Sequence, residues 1–291
     1  MATENHIRNP LEWGWDQVRH AGHAAGSAAR AIHGLERPSR AAAPAIRRIW
    51  AADLRDALTK GLDDFSAYRT DVIFLCIIYP IVGLVAARLA FGYELLPLIF
   101  PLASGFALVG PVAAIGLYEM SRRREQGHDI GWADAFGVIR SPALGAMIAL
   151  GLVLLAIFVL WLLAAWIIYH FTLGPALPAS MASFADAIFT TDAGWTMIIV
   201  GVAVGFLFAV LVLTISVVSF PLLLDRDVGL SAAVATSVRA VLANPGPMAL
   251  WGLIVAGGLV VGSIPALLGL AIVIPVLGHA TWHLYRKVVV R

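Results

Sequence analysis

The sequence predicts an all-α protein, a polytopic transmembrane bundle of six helices with both termini cytoplasmic and short amphipathic helices on the cytoplasmic face. Three observations carry that reading. Of 291 residues, 60% are hydrophobic and 13% charged, with a mean hydropathy of +0.86, whereas a soluble domain carries roughly 25% charged residues. The charge is unevenly spread, because residues 1–71 hold ten of the twenty Lys and Arg and nine of the eighteen Asp and Glu. Beyond residue 71 the chain contains apolar runs long enough to cross a bilayer core of about 30 Å, which takes about 20 helical residues.

Taken in order, residues 1–45 read as a mobile cytoplasmic extension. Positions 17–45 are rich in Ala, Arg, His and Gly and contain Pro38 and Pro44, a composition with too little apolar surface to build a core. Over 46–70 the pattern changes. Ile46, Ile49, Trp50, Leu54, Leu58, Leu62, Phe65 and Tyr68 recur at three and four, opposite Arg47, Arg48, Arg55, Lys60, Asp63 and Asp64. That is an amphipathic helix, placed in the membrane interface by its position just before a span, or alternatively docking a partner.

Residues 71–291 form the transmembrane domain, with spans at about 72–90, 95–118, 143–169, 195–224, 248–264 and 265–285. The chain start is polar and the first apolar run begins only near residue 72, so that run reads as an uncleaved insertion signal rather than a secretory signal peptide. The last two spans are joined across Gly262-Ser263-Ile264-Pro265, which makes them an antiparallel hairpin. Two short helices fill the connections on one side, Trp132–Arg140 and Ser231–Ala243. Ser141-Pro142 and Asn244-Pro245 stop them, since a residue before proline avoids the helical region.

Orientation follows from the cations. Arg122, Arg123, Arg124, Arg140, Arg226, Arg239, Arg286, Lys287 and Arg291 all fall on one side, while His170–Gly194 on the other contains no Lys or Arg and only Asp186 and Asp192. In that segment Phe184, Ile188 and Phe189 beside the two acids describe a short amphipathic piece on the outer surface.

The function classes narrow quickly. No basic stripe interleaved with aromatics appears, so no nucleic-acid partner is expected. Cys76 is alone and cannot form an internal disulfide. No HExxH, GxSxG, P-loop, CxxC or paired midplane carboxylates occur, so neither an enzyme nor a bound cofactor is predicted. Of the groups that remain, His279 and His283 lie four apart beside Trp282, Tyr285, Arg286 and Lys287. They are weak metal candidates if Asp225 or Glu119 supplies a carboxylate; otherwise this is a helix end at the headgroups with an aromatic belt. Asp225, Arg226 and Asp227, with Arg286, are interfacial or gating candidates at the edge of a span. Prolines 97, 101 and 111 in span two, and 265 and 275 in span six, mark kinked helices that can line a cavity. Gly201-Val202-Ala203-Val204-Gly205 and Gly258-Leu259-Val260-Val261-Gly262 suit close helix packing or self-association.

Several phrases are specific enough to suggest a family. "DVIFLCIIYPIVGLV", "LLPLIFPLASGFALVGPVAAIGLYEMSRRRE", "VSFPLLLDRDVG", "NPGPMALWG" and "PVLGHATWHLYRK" resemble the bacterial integral-membrane family called domain of unknown function 2189. The resemblance covers about residues 53–291. It implies a six-span protein of the bacterial inner membrane and implies no activity. Members are sometimes likened to cytochrome oxidase subunit I, but that subunit ligates haem and copper with histidines deep in twelve spans, and no histidine falls at a midplane here.

The function these observations favour is a non-catalytic inner-membrane accessory or assembly subunit of a membrane complex, such as a respiratory one. Its partners would be the lipid bilayer and a membrane protein or a second copy. The alternatives are a small-molecule or ion transporter or channel lined by spans two, four and six, and a metal- or haem-binding protein using His279 and His283.

Overall fold

The computed structural model describes residues 44–68, 81, 88, 96–174, 176–265 and 267–290. The expected extension over 1–45 and the expected first span at 72–90 fall outside these but for Pro44, Ala45, Ile81 and Arg88. Among the described residues the chain is helical. In order come α1 (Ala51–Ala67), α2 (Ile99–Ala113), α3 (Ile115–Glu125), α4 (Leu144–Thr172), α5 (Met181–Thr190), α6 (Asp192–Ser216), α7 (Ser219–Asp225), α8 (Leu230–Ala243), α9 (Pro245–Ser263) and α10 (Leu270–Val288). Two 3-10 segments, Leu96–Leu98 and Trp132–Arg140, sit before α2 and after α3.

Three helical stretches are long and apolar enough to cross a membrane: Leu144–Thr172, Asp192–Asp225 and Pro245–Ser263. The other expected runs differ for local reasons. Span two is divided into α2 and α3 at Ala114, and Pro111 inside α2 weakens the turn before it. Proline lacks the N–H that would hold the preceding turn. The last helix starts at Leu270 rather than Pro265 and carries its polar groups in its C-terminal half. Between α9 and α10, Leu267 adopts φ +67, and a Cβ on Gly269 would lie 2.7 Å from the Gly262 carbonyl oxygen. Only a very tight reversal places two backbones that close.

The break between α6 and α7 is written in serines. The hydroxyls of Ser216 and Ser219 donate back to the carbonyls of Val212 and Ile215, each at 2.6 Å, an arrangement that bends helices. Ser237 of α8 completes it, accepting from the Val218 N–H at 3.2 Å and donating to the Thr214 carbonyl at 2.8 Å.

Burial is distributed opposite to a soluble fold. Along the three membrane-length stretches only 28%, 6% and 17% of the most apolar window is buried, and Leu152, Val159, Leu163, Ile199, Phe206, Leu207, Leu253 and Val260 are exposed. Such faces require an apolar surround, which a bilayer supplies. Fully buried side chains line one face of α4 (Met147, Leu150, Leu154) and the start of α9 (Met248, Trp251), and others gather near α3, α7 and the end of α10, including Met120, Phe220, Leu222, Leu223, Trp282 and Tyr285. A smaller cluster closes the far side, where Leu96, Tyr169 and Phe184 pack with Leu173, Ile188 and Met197. There α5 folds back on α6, and the Tyr169 hydroxyl donates to the Ala176 carbonyl at 2.6 Å.

Both small-residue motifs are used within the chain. A Cβ on Gly205 would meet Trp161 of α4 at 3.0 Å, and one on Gly262 would meet Leu270 at 3.0 Å. Trp161 is fixed further by its Nε1–H, which donates to Ser104 Oγ at 2.9 Å.

A short clamp joins distant parts of the sequence. Ile46 and Val289 form an isolated antiparallel bridge, with Arg47 N–H donating to the Val288 carbonyl at 2.8 Å and Val290 N–H to the Ala45 carbonyl at 3.0 Å. Beside it Asn244, 3% exposed, accepts from the Ile49 N–H at 2.8 Å and donates to the carbonyls of Arg47 and Ala240 at 3.1 and 3.0 Å.

Candidate functional site

The polar groups converge where α1, α3 and α10 meet. On α1 the buried residues are Leu54, Ala57, Gly61 and Asp64, spaced by three and four so that they share one face. This differs from the stripe counted in the sequence: Trp50 is 72% and Leu62 54% exposed. Size explains the difference. A Cβ on Gly61 would lie 2.6 Å from the Cβ and backbone N of Ala280, so α1 and α10 cross at a separation that only small residues permit.

One turn beyond that crossing, Asp64 enters the gap between α3 and α10. Its Oδ2 accepts from Ser121 Oγ at 2.6 Å and lies 2.8 Å from His283 Nε2, while Oδ1 pairs with Arg124. Burial pushes the carboxyl pKa up. The hydrogen bonds from His283 and Ser121 and the nearby histidines outweigh burial, leaving the group below its ordinary 3.8. Asp64 is therefore a carboxylate acceptor.

The proton positions follow. With Ser121 donating to Asp64, the 2.8 Å contact between Ser121 Oγ and His279 Nδ1 requires the ring nitrogen to donate. His283 likewise carries its proton on Nε2. His279 is 1% exposed, and its Nε2 has no hydrogen-bond partner. The set Asp64, Ser121 and His279 has the residue types of a hydrolytic triad but not its logic. A nucleophilic serine gives its proton to imidazole, and this one gives it to the carboxylate while buried to 1%. What the arrangement does is pin three helices together.

Two further networks flank it. Glu119, 2% exposed, accepts from Arg122 at 2.7 and 3.0 Å and from Arg123 at 2.7 Å, and Arg123 also pairs with Asp134 of the 3-10 segment. The Glu119 hydrogen bond, opposed by burial and assisted by both acids, raises the Arg123 pKa further above its ordinary value. On the other side, Arg286 bridges Glu125 at 3.0 Å and Asp225 at 3.1 Å, while the Tyr285 hydroxyl donates to Asp225 at 2.6 Å. Arg226 reaches the Val290 carbonyl at 2.6 Å. Farther out, Lys287 bonds Asp56 at 2.9 Å. Hydrogen bonds from Lys287 and Lys60 lower the Asp56 pKa, and the same Asp56 bond raises that of Lys287.

The sequence-predicted residues thus separate. His279 and His283 come together with Asp64, not with Asp225 or Glu119, which are committed to Tyr285 and Arg286 and to Arg122 and Arg123. Among the described residues no group of three or more His, Cys, Asp or Glu is placed to hold a metal ion. Asp227 is exposed. Asp64, Ser121 and Arg124 were missed; the one available signal was Gly61 inside a helix, three residues before a carboxylate.

Two cavities border these helices. One of about 490 Å³ is lined by charged groups including Lys60, Asp63, Asp64, Arg124, Glu125 and His283. The other, of about 400 Å³, lies between the Gly110-Pro111 segment and α6, α9 and α10, and among the described residues no charged side chain lines it.

Residues 99–225 match the family described as a predicted integral membrane protein, domain of unknown function 2189. The match runs from α2 through α7 and is shorter than the 53–291 expected. No curated protein and no solved structure matches the chain.

Proposed function

From an integral membrane protein with this family match, we propose a non-catalytic accessory or assembly subunit of a larger membrane complex. In this reading it is a six-span protein of the bacterial inner membrane with the charged end and both termini in the cytoplasm. The observation that carries the proposal is the Asp192–Asp225 stretch, 34 residues with 6% of its most apolar window buried. In lipid there is no hydrophobic drive between helices, and packing holds them together. A span that packs so little within its own chain has its face available for another protein. The ionised groups support the same reading. They pair with one another at one end of the bundle and leave the three membrane-length stretches free of Lys, Arg, Asp and Glu except at their ends.

Gentle solubilisation of the tagged protein followed by mass spectrometry is expected to recover a stoichiometric membrane-protein partner; isolation as a lone species sinks the proposal. A second reading, a transporter, draws on the apolar cavity of about 400 Å³. Its uncharged lining favours an apolar cargo over an ion. Uptake of a fluorescent apolar probe into vesicles, blocked by Ala256→Trp in the lining, separates the two.

A further inference from the structure

We propose that the junction of α1, α8 and α9 is a binding site for the headgroup of an acidic phospholipid. The clamp described above brings two segments together that are remote in sequence. Asn244 holds the backbone of Arg47 and Ile49, and an Arg239 guanidinium nitrogen lies 3.5 Å from the Pro44 carbonyl. The result is a patch in which Arg47, Arg48 and Arg239 are all exposed, with Trp50 and Leu242 each 72% exposed beside them.

Three features of this patch point to an anion at a membrane surface. First, residues 44–52 and 228–252 contain no Asp or Glu. Asp53, the next acid along the chain after Arg48, is half-buried and accepts from the Trp50 N–H at 2.9 Å, with Lys287 3.7 Å away. Among the described residues no carboxylate pairs with Arg47, Arg48 or Arg239, unlike Arg122, Arg123, Arg124 and Arg286. Second, two long helices begin here, α1 after Trp50 and α9 after Asn244; the helix dipole makes each start positive, with Asp53 in the first turn of α1 and Gly246 the one N–H among the first three residues of α9, between Pro245 and Pro247. The end of α8 opposes them, but Asn244 already occupies its Ala240 and Val241 carbonyls. Third, the depth is right. A membrane-length stretch starts at Pro245, so its first residue sits at the boundary between hydrocarbon and headgroups. Exposed Trp and Leu belong in that layer, and arginines beside them reach phosphate. The lipid would place its phosphate between the arginines and the two helix starts, and its acyl chains along the α9 face.

The test uses the full protein in nanodiscs of phosphatidylcholine, with phosphatidylglycerol titrated in and retained lipid read by native mass spectrometry after release. Phosphatidylglycerol is expected to be retained in preference to phosphatidylcholine. Neutralising one arginine is expected to weaken that preference about fivefold, and Arg47→Gln/Arg48→Gln/Arg239→Gln about a hundredfold. Arg140→Gln, an exposed arginine elsewhere, keeps the preference. Should the triple variant not fold, Arg47→Gln/Arg48→Gln is the informative pair, since both side chains are exposed and Arg47 joins the clamp through its backbone. Equal retention of the two lipids, or an unaltered preference in the variants, overturns the proposal. Inorganic phosphate displacing phosphatidylglycerol at matched concentration also overturns it, by showing a site for free phosphate.

Discussion

The charged end of the molecule and the flanks of α4, α6 and α9 obey different rules within one chain. At the charged end, Asp64 alone has Ser121, His283 and Arg124 as partners, and Gly61 has no room for a methyl group. Along α6, Ile199, Val202, Phe206 and Leu207 face outward with more than half of their surface exposed. The comparison teaches that this chain buys its specificity at one end. There each side chain has a defined neighbour, whereas the flanks need only be apolar.

That contrast can be broken most sharply at Asp64. Asp64→Ala leaves Arg124 and His283 without their shared carboxylate and is expected to cost about 3–5 kcal/mol, read as lost thermal stability in detergent. A destabilisation under about 1 kcal/mol would show the network to be ornamental. The flank has its own breaking point. Leu207→Arg puts a charge near the middle of the longest stretch and is expected to cost about 2.5–3.5 kcal/mol in membrane insertion, measurable by glycosylation mapping.

Gly61→Ala comes next, and its sign is decided by two magnitudes. Replacing a helical glycine gains about 1 kcal/mol in propensity. Forcing a Cβ to within 2.6 Å of the Ala280 backbone N costs about 1–3 kcal/mol as overpacking. Net loss is expected, seen as earlier proteolysis within α1; a stabilised variant would mean that the crossing loosens at no cost.

Acid sharpens the comparison further. The folded pKa of Asp64 lies below its ordinary 3.8, so its contribution is full above that value and declines as pH falls through the folded value. The unfolding midpoint should drop below pH 3.8 in the wild type and stay flatter in Asp64→Asn. Smallest of all is Val202→Leu on the exposed flank, expected to change stability by less than about 0.5 kcal/mol.

Much of this was legible in the sequence because it depends on composition over long windows. The stretches 144–172, 192–225 and 245–263 stand out by length and apolarity alone, and the helix end at Arg140 and the helix at 231–243 follow from Ser141-Pro142 and Asn244-Pro245. The α1 packing face was misjudged because large apolar residues dominate a periodicity count, while a close crossing selects Ala57 and Gly61. The histidine pair was visible and its partner was not. Asp64 is separated from His283 by 219 residues, and only its spacing from Gly61 distinguishes it from the exposed Asp63 beside it. Asp225 and Glu119 were attractive as neighbours in topology, but each had a nearer cation, Arg286 and Arg122.

The bridge between Ile46 and Val289 also sets a timetable. The ribosome makes α1 well before its docking face, Ala280 to Lys287, and the residues that pair beside it, Val288 to Val290. While the intervening helices are being threaded into the bilayer, α1 has no native place to rest. Its arrival on α10 therefore reports that translation has passed Val290, and a product stalled or truncated before α10 is recognisable by an undocked α1.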